Sequence, residues 1–345
     1  MKIIIASTVV PFIYGGGTFI VDWLKIKLRE YGHAVEVFKI PFYSYHPEMM
    51  NQMLALRLFN LTDSCDRLIA IRTPSYLLRH PNKVLWFIHH HRGAYDLWGT
   101  KYQDLPNNDM GQSIRSVLIK ADNIAFKEAK KIYTNSKLVS RRLKKYNGFD
   151  SEVLYPPLMN SEKYYCENYQ DYVFYPSRIT QHKRQYLAIE AMQYVKSNTK
   201  LIIAGKPDVE DYIRVLQELI NKYGVEKKVK LISRWISQKE KQKLFAHSLA
   251  SLYIPYLEDS YGYVSLESFY SQKTVITCTD SGGTLELIKN MTNGFIVKPE
   301  AKLIAKIIDR LSFEKKLAKS LGEEGLNTIN NMNISWQNVI TKLTK

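Results

Sequence analysis

The sequence predicts an α/β protein of two domains, each built on a parallel sheet. Three observations predict it. Short β-rich runs alternate with longer amphipathic segments, the alternation occurs twice, and Tyr155-Pro156-Pro157 separates the two series. A chain of 345 residues also exceeds one ordinary core and fits two domains.

In the first series, residues 3–6, 35–38, 67–71, 84–88 and 131–134 read as strands. Residues 18–31 read as a helix because Val21, Leu24 and Leu28 fall on one face, and residues 136–146 read as another. Pro156-Pro157 can neither continue a helix nor donate to a ladder, and the polar stretch 160–170 follows. The boundary is therefore placed at residue 157. In the second series the strands are 172–175, 201–204, 229–232, 250–254 and 274–278. Helical patterns cover 185–195, 208–223, 239–248, 264–271 and 283–289, and the tail 301–345 reads as helices. This is a tandem of Rossmann-like domains, and neither carries the G-x-G-x-x-G fingerprint of a dinucleotide-binding dehydrogenase.

The balance of 49 Lys+Arg against 33 Asp+Glu gives a net charge of +16 and favours anionic partners. No recognition motif with interleaved aromatics accompanies it, so nucleic acid is not an expected partner. Cys65, Cys166 and Cys278 are far apart and form no CxxC or His/Cys cluster, which argues against a disulfide framework or structural zinc and for a cytoplasmic setting. The apolar start, Met1 to Val10, reads as a first buried strand and not as a signal peptide, and no run of about 18 apolar residues predicts a membrane span.

The chemistry-bearing residues concentrate in the second domain. Asp259-Ser-Tyr-Gly-Tyr-Val-Ser-Leu-Glu267 sets two carboxylates on either side of a turn at Gly262, and Ser281-Gly282-Gly283 makes a second turn. Glycines let backbone amides approach an anion, while the carboxylates accept bonds from hydroxyls. Arg178 and Lys183 lie just past a strand, at the edge where ligands of open α/β sheets bind, and supply cations for a diphosphate. Amides to phosphate and carboxylates to hydroxyls together suit a sugar nucleotide. Helix-capping acids and solvated surface cations are the alternatives for the same residues. In the first domain, Tyr14-Gly15-Gly16-Gly17-Thr18 joins the first strand to the first helix, as a phosphate loop or a plain turn. His89, His90 and His91 follow a strand, and adjacent side chains of an extended chain point to opposite faces, so they cannot share one metal. Residues 127–145 hold eight Lys or Arg against the lone acid Glu128.

These paired motifs resemble those of the retaining glycosyltransferases of the GT-B fold, family 4 (glycosyl transferases group 1), and the resemblance covers nearly the whole chain. It implies two Rossmann-like domains facing each other across a cleft that holds the active site. It also implies an acceptor-side domain (1–157), a donor-binding domain (158–325) and a C-terminal helix (326–345) crossing back onto the first. The implied roles place Gly16 and Gly17 toward the donor diphosphate, Arg178 and Lys183 on the diphosphate, and Glu267 on the ribose. Asp259 stands where the family has Glu, with Glu258 as a neighbour able to replace it. The amides around Tyr263 and Val264 are assigned to the phosphates, and the loops at Gly205 and Trp235 to the base. His89 is the sugar-facing histidine, with catalytic roles for His89, Arg178, Lys183 and Asp259, and Arg92 and Tyr95 are assigned to the acceptor.

The expected activity is hexosyl transfer from a nucleoside-diphosphate sugar, UDP-sugar favoured over GDP-sugar, to a saccharide or lipid-linked glycan of cell-surface polysaccharide or glycolipid synthesis. A nucleotide-sugar epimerase of the same fold is the rival enzyme, and a basic nucleic-acid-binding protein is the more distant alternative. No D-x-D motif is present, so metal-independence is expected, with the nucleotide-sugar as substrate and no cofactor. The basic segment suggests reversible contact with an anionic membrane, hence a cytoplasmic or peripheral location at the inner face of the plasma membrane.

Overall fold

The computed structural model describes residues 1–11, 16–43, 46–100 and 102–345. The chain forms two compact units, Met1–Pro157 with Ser335–Lys345, and Leu158–Ile334.

The first unit comprises β1 (Lys2–Val9), α1 (Gly16–Glu30), β2 (Ala34–Pro41), α2 (His46–Leu58), β3 (Arg67–Ala70), β4 (Lys83–Phe87), α3 (Asp109–Lys127), β5 (Lys131–Thr134), α4 (Lys137–Asn147) and β6 (Glu152–Val153). Its strands pair in parallel in the order β2-β1-β3-β4-β5-β6. Alternation along β1 sends Ile3 and Ile5 into one core with Val21, Leu24 and Leu28 of α1, and Ala6 into another with Met49 and Met53 of α2 and Leu118 and Phe126 of α3. Both faces of the sheet are thus covered, as a parallel sheet requires. Ser136 caps α4 by accepting from the Val139 amide, and Gly148 ends the helix in the left-handed region.

The second unit comprises β7 (Tyr172–Pro176), α5 (Gln185–Met192), β8 (Lys200–Ala204), α6 (Asp211–Lys222), β9 (Val229–Ile232), α7 (Gln238–His247), β10 (Ala250–Leu252), α8 (Tyr263–Tyr270), β11 (Val275–Cys278), β12 (Gly294–Val297), α9 (Ala301–Phe313) and α10 (Lys315–Asn331). The parallel order is β12-β11-β10-β7-β8-β9, so the chain winds outward from β7 one way and then from β10 the other. That reversal makes the gap beside the carboxyl ends of β7 and β10 the topological switch point, where open α/β sheets bind ligands.

The chain then returns to the first unit as α11 (Trp336–Thr344), capped by Ser335. Val339, Ile340 and Leu343 join the core of Ile3, Ile5 and Trp86, each contributing about 1.5–3 kcal/mol of apolar burial. Trp336 meets Trp86 edge-on at 6.4 Å, and Arg67 donates to the Leu343 carbonyl at 2.9 Å. The return begins at Ser335 and not at residue 326, because α10 stays with the second unit through Asn331. Residues 283–289 are likewise not a full helix: a single 3-10 turn spans Gly283–Glu286.

Candidate active site

Three loops of the second unit meet at the switch point. The first follows β7 and carries Arg178 and a 3-10 turn, Gln181–Lys183; the second follows β10, and the third follows β11. Gly205, ending β8, is required by packing: a Cβ there would lie 1.8 Å from the Ser177 carbonyl oxygen, on the backbone that leads to Arg178. Its missing side chain admits this loop, a packing need separate from the ligand-facing role expected for it.

Both expected cations reach this edge, each with a carboxylate partner. Half-exposed Arg178 pairs with Asp208 at 3.0 Å. Lys183 is buried, donates to the Tyr253 hydroxyl at 3.1 Å and pairs with Glu258. Burial, reinforced by the Glu258 charge, pushes the Tyr253 phenol well up, so it remains a protonated donor. Of the two adjacent acids, Glu258 is thus the one turned onto Lys183. Asp259, the carboxylate expected to act, is partly buried in the same loop.

Gly262 sits at φ 71°, and a Cβ on it would fall 2.4 Å from Cε1 of Tyr253. Only glycine fits that backbone and that space. The turn starts α8, whose first residues are Tyr263 and Val264, and a helix start presents amides and positive partial charge to an anion. The second glycine turn does something else than expected. Gly282 is at φ 66°, and the Gly283 amide donates to the Glu258 carbonyl at 2.7 Å. These glycines therefore brace the 257–260 loop, because a Cβ at either would strike that loop's backbone within 2.8 Å.

Glu267, one turn into α8, is 4% exposed. Tyr164 donates to its Oε1 at 3.0 Å, and the Lys241 ammonium of α7 meets the same oxygen. Trp235, in the loop after β9, is 51% exposed, so its ring is not packed into the core. Among the described residues, no three of His, Cys, Asp and Glu gather as a metal-binding group.

In the first unit the three histidines part ways. His90 is 2% exposed, with Nε2 bonded to Asn147 at 2.9 Å, and burial lowers its pKa to about 4. His91 lies 3.5 Å from Asp104. His89, less buried than either, bonds through Nδ1 to the His90 carbonyl at 2.6 Å. Arg92 pairs with Asp96 at 2.7 Å, beside Arg142 at 3.0 Å from the same oxygen. Tyr95, expected at the acceptor, is 3% exposed and donates to buried Asp122 at 2.6 Å. Its hydroxyl is spent inside the core, so the acceptor role is withdrawn. Gly16 is exposed at the start of α1, while Gly17 has the Arg72 side chain 3.4 Å from its Cβ position. Tyr14 and Gly15 lie outside the described residues.

Sequence reasoning missed Tyr164, Lys241, Tyr253 and Arg184. The Tyr164–Glu267 pair spans 103 residues and the Lys183–Tyr253 pair spans 70, so no local spacing announces them.

Residues 162–328 match the family model of glycosyl transferases group 1. An uncharacterized glycosyltransferase of Methanocaldococcus jannaschii is 31% identical over 130 residues, which is 37% of this chain and 32% of that protein. The chain thus spans about a third of that curated relative's length. A sucrose-phosphate synthase from Thermosynechococcus elongatus superposes with a TM-score of 0.80 at 15% identity, covering 99% of this chain and 97% of the other. An Anabaena protein crystallised with UDP-glucose gives 0.75 at 15% identity, over 100% and 98%. At such identities the structures establish the shared GT-B fold. The family match lies wholly within the second unit, which is similar to the glycosyl transferases group 1.

Proposed function

We propose that the protein is a retaining glycosyltransferase that moves a hexose-type sugar from a nucleoside-diphosphate sugar to a hydroxyl of a saccharide or lipid-linked glycan. The supporting observation is one sheet edge that gathers Arg178, Lys183, the Gly262-led start of α8 and the buried carboxylate of Glu267. The diphosphate would replace Asp208 and Glu258 as the partner of those cations, and the ribose hydroxyls would donate to Glu267. In the reaction the bond from the anomeric carbon to the phosphate oxygen breaks and a bond to the acceptor oxygen forms on the same face. The acceptor proton passes to the departing phosphate. Negative charge grows on the β-phosphate as it leaves, so fixed cations stabilise the transition state more than the ground state.

A UDP-sugar is the favoured donor, since the Anabaena protein of the same fold was crystallised with UDP-glucose. GDP-sugars are the alternative. The first unit is assigned to the acceptor through Arg92, while His89, also following β4, is proposed to face the transferred sugar. Arg178 and Lys183 carry the diphosphate charge, and transfer is proposed to be independent of metal. Among the described residues no helix is long and apolar enough to cross a membrane. Exposed Lys127, Lys130, Lys137, Arg141, Lys144 and Lys145 are proposed to touch an anionic surface reversibly, whereas Arg142 is turned inward onto Asp96. Vesicle binding that ignores salt and lipid charge would remove that contact from the proposal.

Thermal-shift titration against UDP-, GDP-, ADP- and dTDP-sugars, followed by labelled-sugar transfer with and without EDTA, tests the reading. Ligand at about 100 times its Kd adds about 2.7 kcal/mol of stability. No shift with any nucleotide-sugar would end the proposal. Turnover of the donor without an acceptor would indicate epimerisation, and EDTA-sensitive transfer restored by Mn²⁺ would reject metal-independence.

A further inference from the structure

Glu267 is held before any ligand arrives. Tyr164 Oη and Lys241 Nζ both meet Oε1, while Oε2 has no partner among the described residues. A carboxylate oxygen offers about two lone-pair sites, so Oε1 is filled by the protein and Oε2 is left over. Burial, with the Glu267 charge adding to it, raises the Tyr164 phenol and keeps it a donor.

Tyr164 is itself fastened. It directly follows a 3-10 turn, Ser161–Lys163, and its ring lies edge-on to Phe245 of α7 at 6.2 Å. Just beyond it, fully buried Lys273 donates to the Cys166 sulfur at 3.1 Å and to the Asn168 carbonyl at 2.6 Å, and lies over the Tyr169 ring at 3.7 Å. The Tyr169 hydroxyl donates to the Gln272 carbonyl at 2.9 Å. Gln272 and Lys273 come shortly after α8, so the 164–169 strap is pinned to the middle of the helix that carries Glu267 and again just past its end.

We propose that Tyr164 and Lys241 are positioning residues of the nucleotide site, saturating Oε1 of Glu267 and turning Oε2 to the ribose hydroxyls of the donor. The inference rests on the donor-site reading above. Neither residue touches the reacting atoms. Each removes rotamer freedom that the glutamate would otherwise lose on binding.

The experiment is calorimetric titration of the full chain with UDP, GDP and ADP, and with the 2′,3′-dideoxy form of whichever binds. The wild type is expected to prefer the ribose form by about tenfold or more. Tyr164→Phe and Lys241→Met should each cut that preference several-fold by weakening the ribose form alone, and Lys241→Arg should keep most of it. A merely structural role would weaken both forms together. Melting curves report whether Tyr164→Phe folds, and Lys241, on the less buried side of the pair, supplies the second variant. A wild type that binds none of the three nucleotides would end the donor-site reading and this inference with it. Unchanged ribose preference in both variants, with the wild type binding normally, would overturn this inference alone.

Discussion

Arg184 grips Asp280 through two 2.8 Å bonds, one from each terminal nitrogen of its guanidinium, and so ties the chain after β7 to the chain after β11. The same side chain donates to the carbonyls of Ile254 at 2.7 Å and Pro255 at 2.9 Å, beyond β10. One buried arginine therefore closes all three loops of the switch point.

Arg184→Met should destabilise the second unit by about 2–4 kcal/mol, since it leaves Asp280 and two carbonyls without their donor. The lower end is favoured because Asp280 is 31% exposed and water can take up part of the loss. Arg184→Lys should recover little, as an ammonium lacks the planar fork. Urea unfolding measures it; a wild-type midpoint for both variants would show that the loops hold without the clasp.

Gly262→Ala should cost about 1–3 kcal/mol from the positive φ alone, plus displacement of Tyr253 from under the turn. Because Tyr253 also receives the Lys183 ammonium, nucleotide affinity should fall along with stability. A variant that loses stability and binds nucleotide normally would separate the turn from the site.

Arg178→Ala and Glu267→Gln should each remove most transfer, by about 30- to 1000-fold, corresponding to about 2–4 kcal/mol for a charge-assisted contact. Arg178 is 43% exposed, so its removal should leave the melting temperature unchanged. Initial rates over a range of donor concentrations decide the matter, and near-normal kcat/KM in both variants would reject the site.

Two buried groups of the first unit should bend stability with pH in opposite directions. Burial raises Asp122 from 3.8 to about 6, so between those values the folded state binds more protons than the unfolded and stability falls as pH rises. Burial lowers His90 from 6.5 to about 4, so there the unfolded state binds more protons and stability rises with pH. In the wild type the two slopes largely cancel between about pH 4 and pH 6. Asp122→Asn should therefore gain stability relative to wild type as pH rises through that window, and His90→Gln should lose it. Difference curves from urea titrations at several pH values read this out; parallel curves would show that neither group titrates there.

The continuous apolar runs of β1, β7 and β8 announce their strands because strands buried on both faces need little else from the sequence. Two helices went unread for a physical reason. In α3, Met110, Val117 and Ile124 are more than 40% exposed opposite the buried face of Ile114, Leu118 and Phe126, and in α2 Leu54 and Leu58 face outward while Met49 and Met53 are buried. Apolar residues all round blur the period that marks an amphipathic helix. β12 is short and opens on glycine, which reads as a turn.

The sequence alone determined the two α/β units, the break at Pro156-Pro157 and the clustering of Arg178, Lys183, Gly262 and Glu267 near strand ends, because periodicity, proline and glycine act within a few residues of themselves. Tertiary structure alone decided that Glu258 and not Asp259 meets Lys183, that Tyr95 is spent on Asp122, that Gly205 and Gly283 serve packing, and that Tyr164 and Lys241 hold Glu267. Those outcomes depend on contacts between loops brought together by strand order. The Arg184–Asp280 clasp spans 96 residues and the Tyr164–Glu267 bond 103, distances over which no local pattern specifies which side chains will meet.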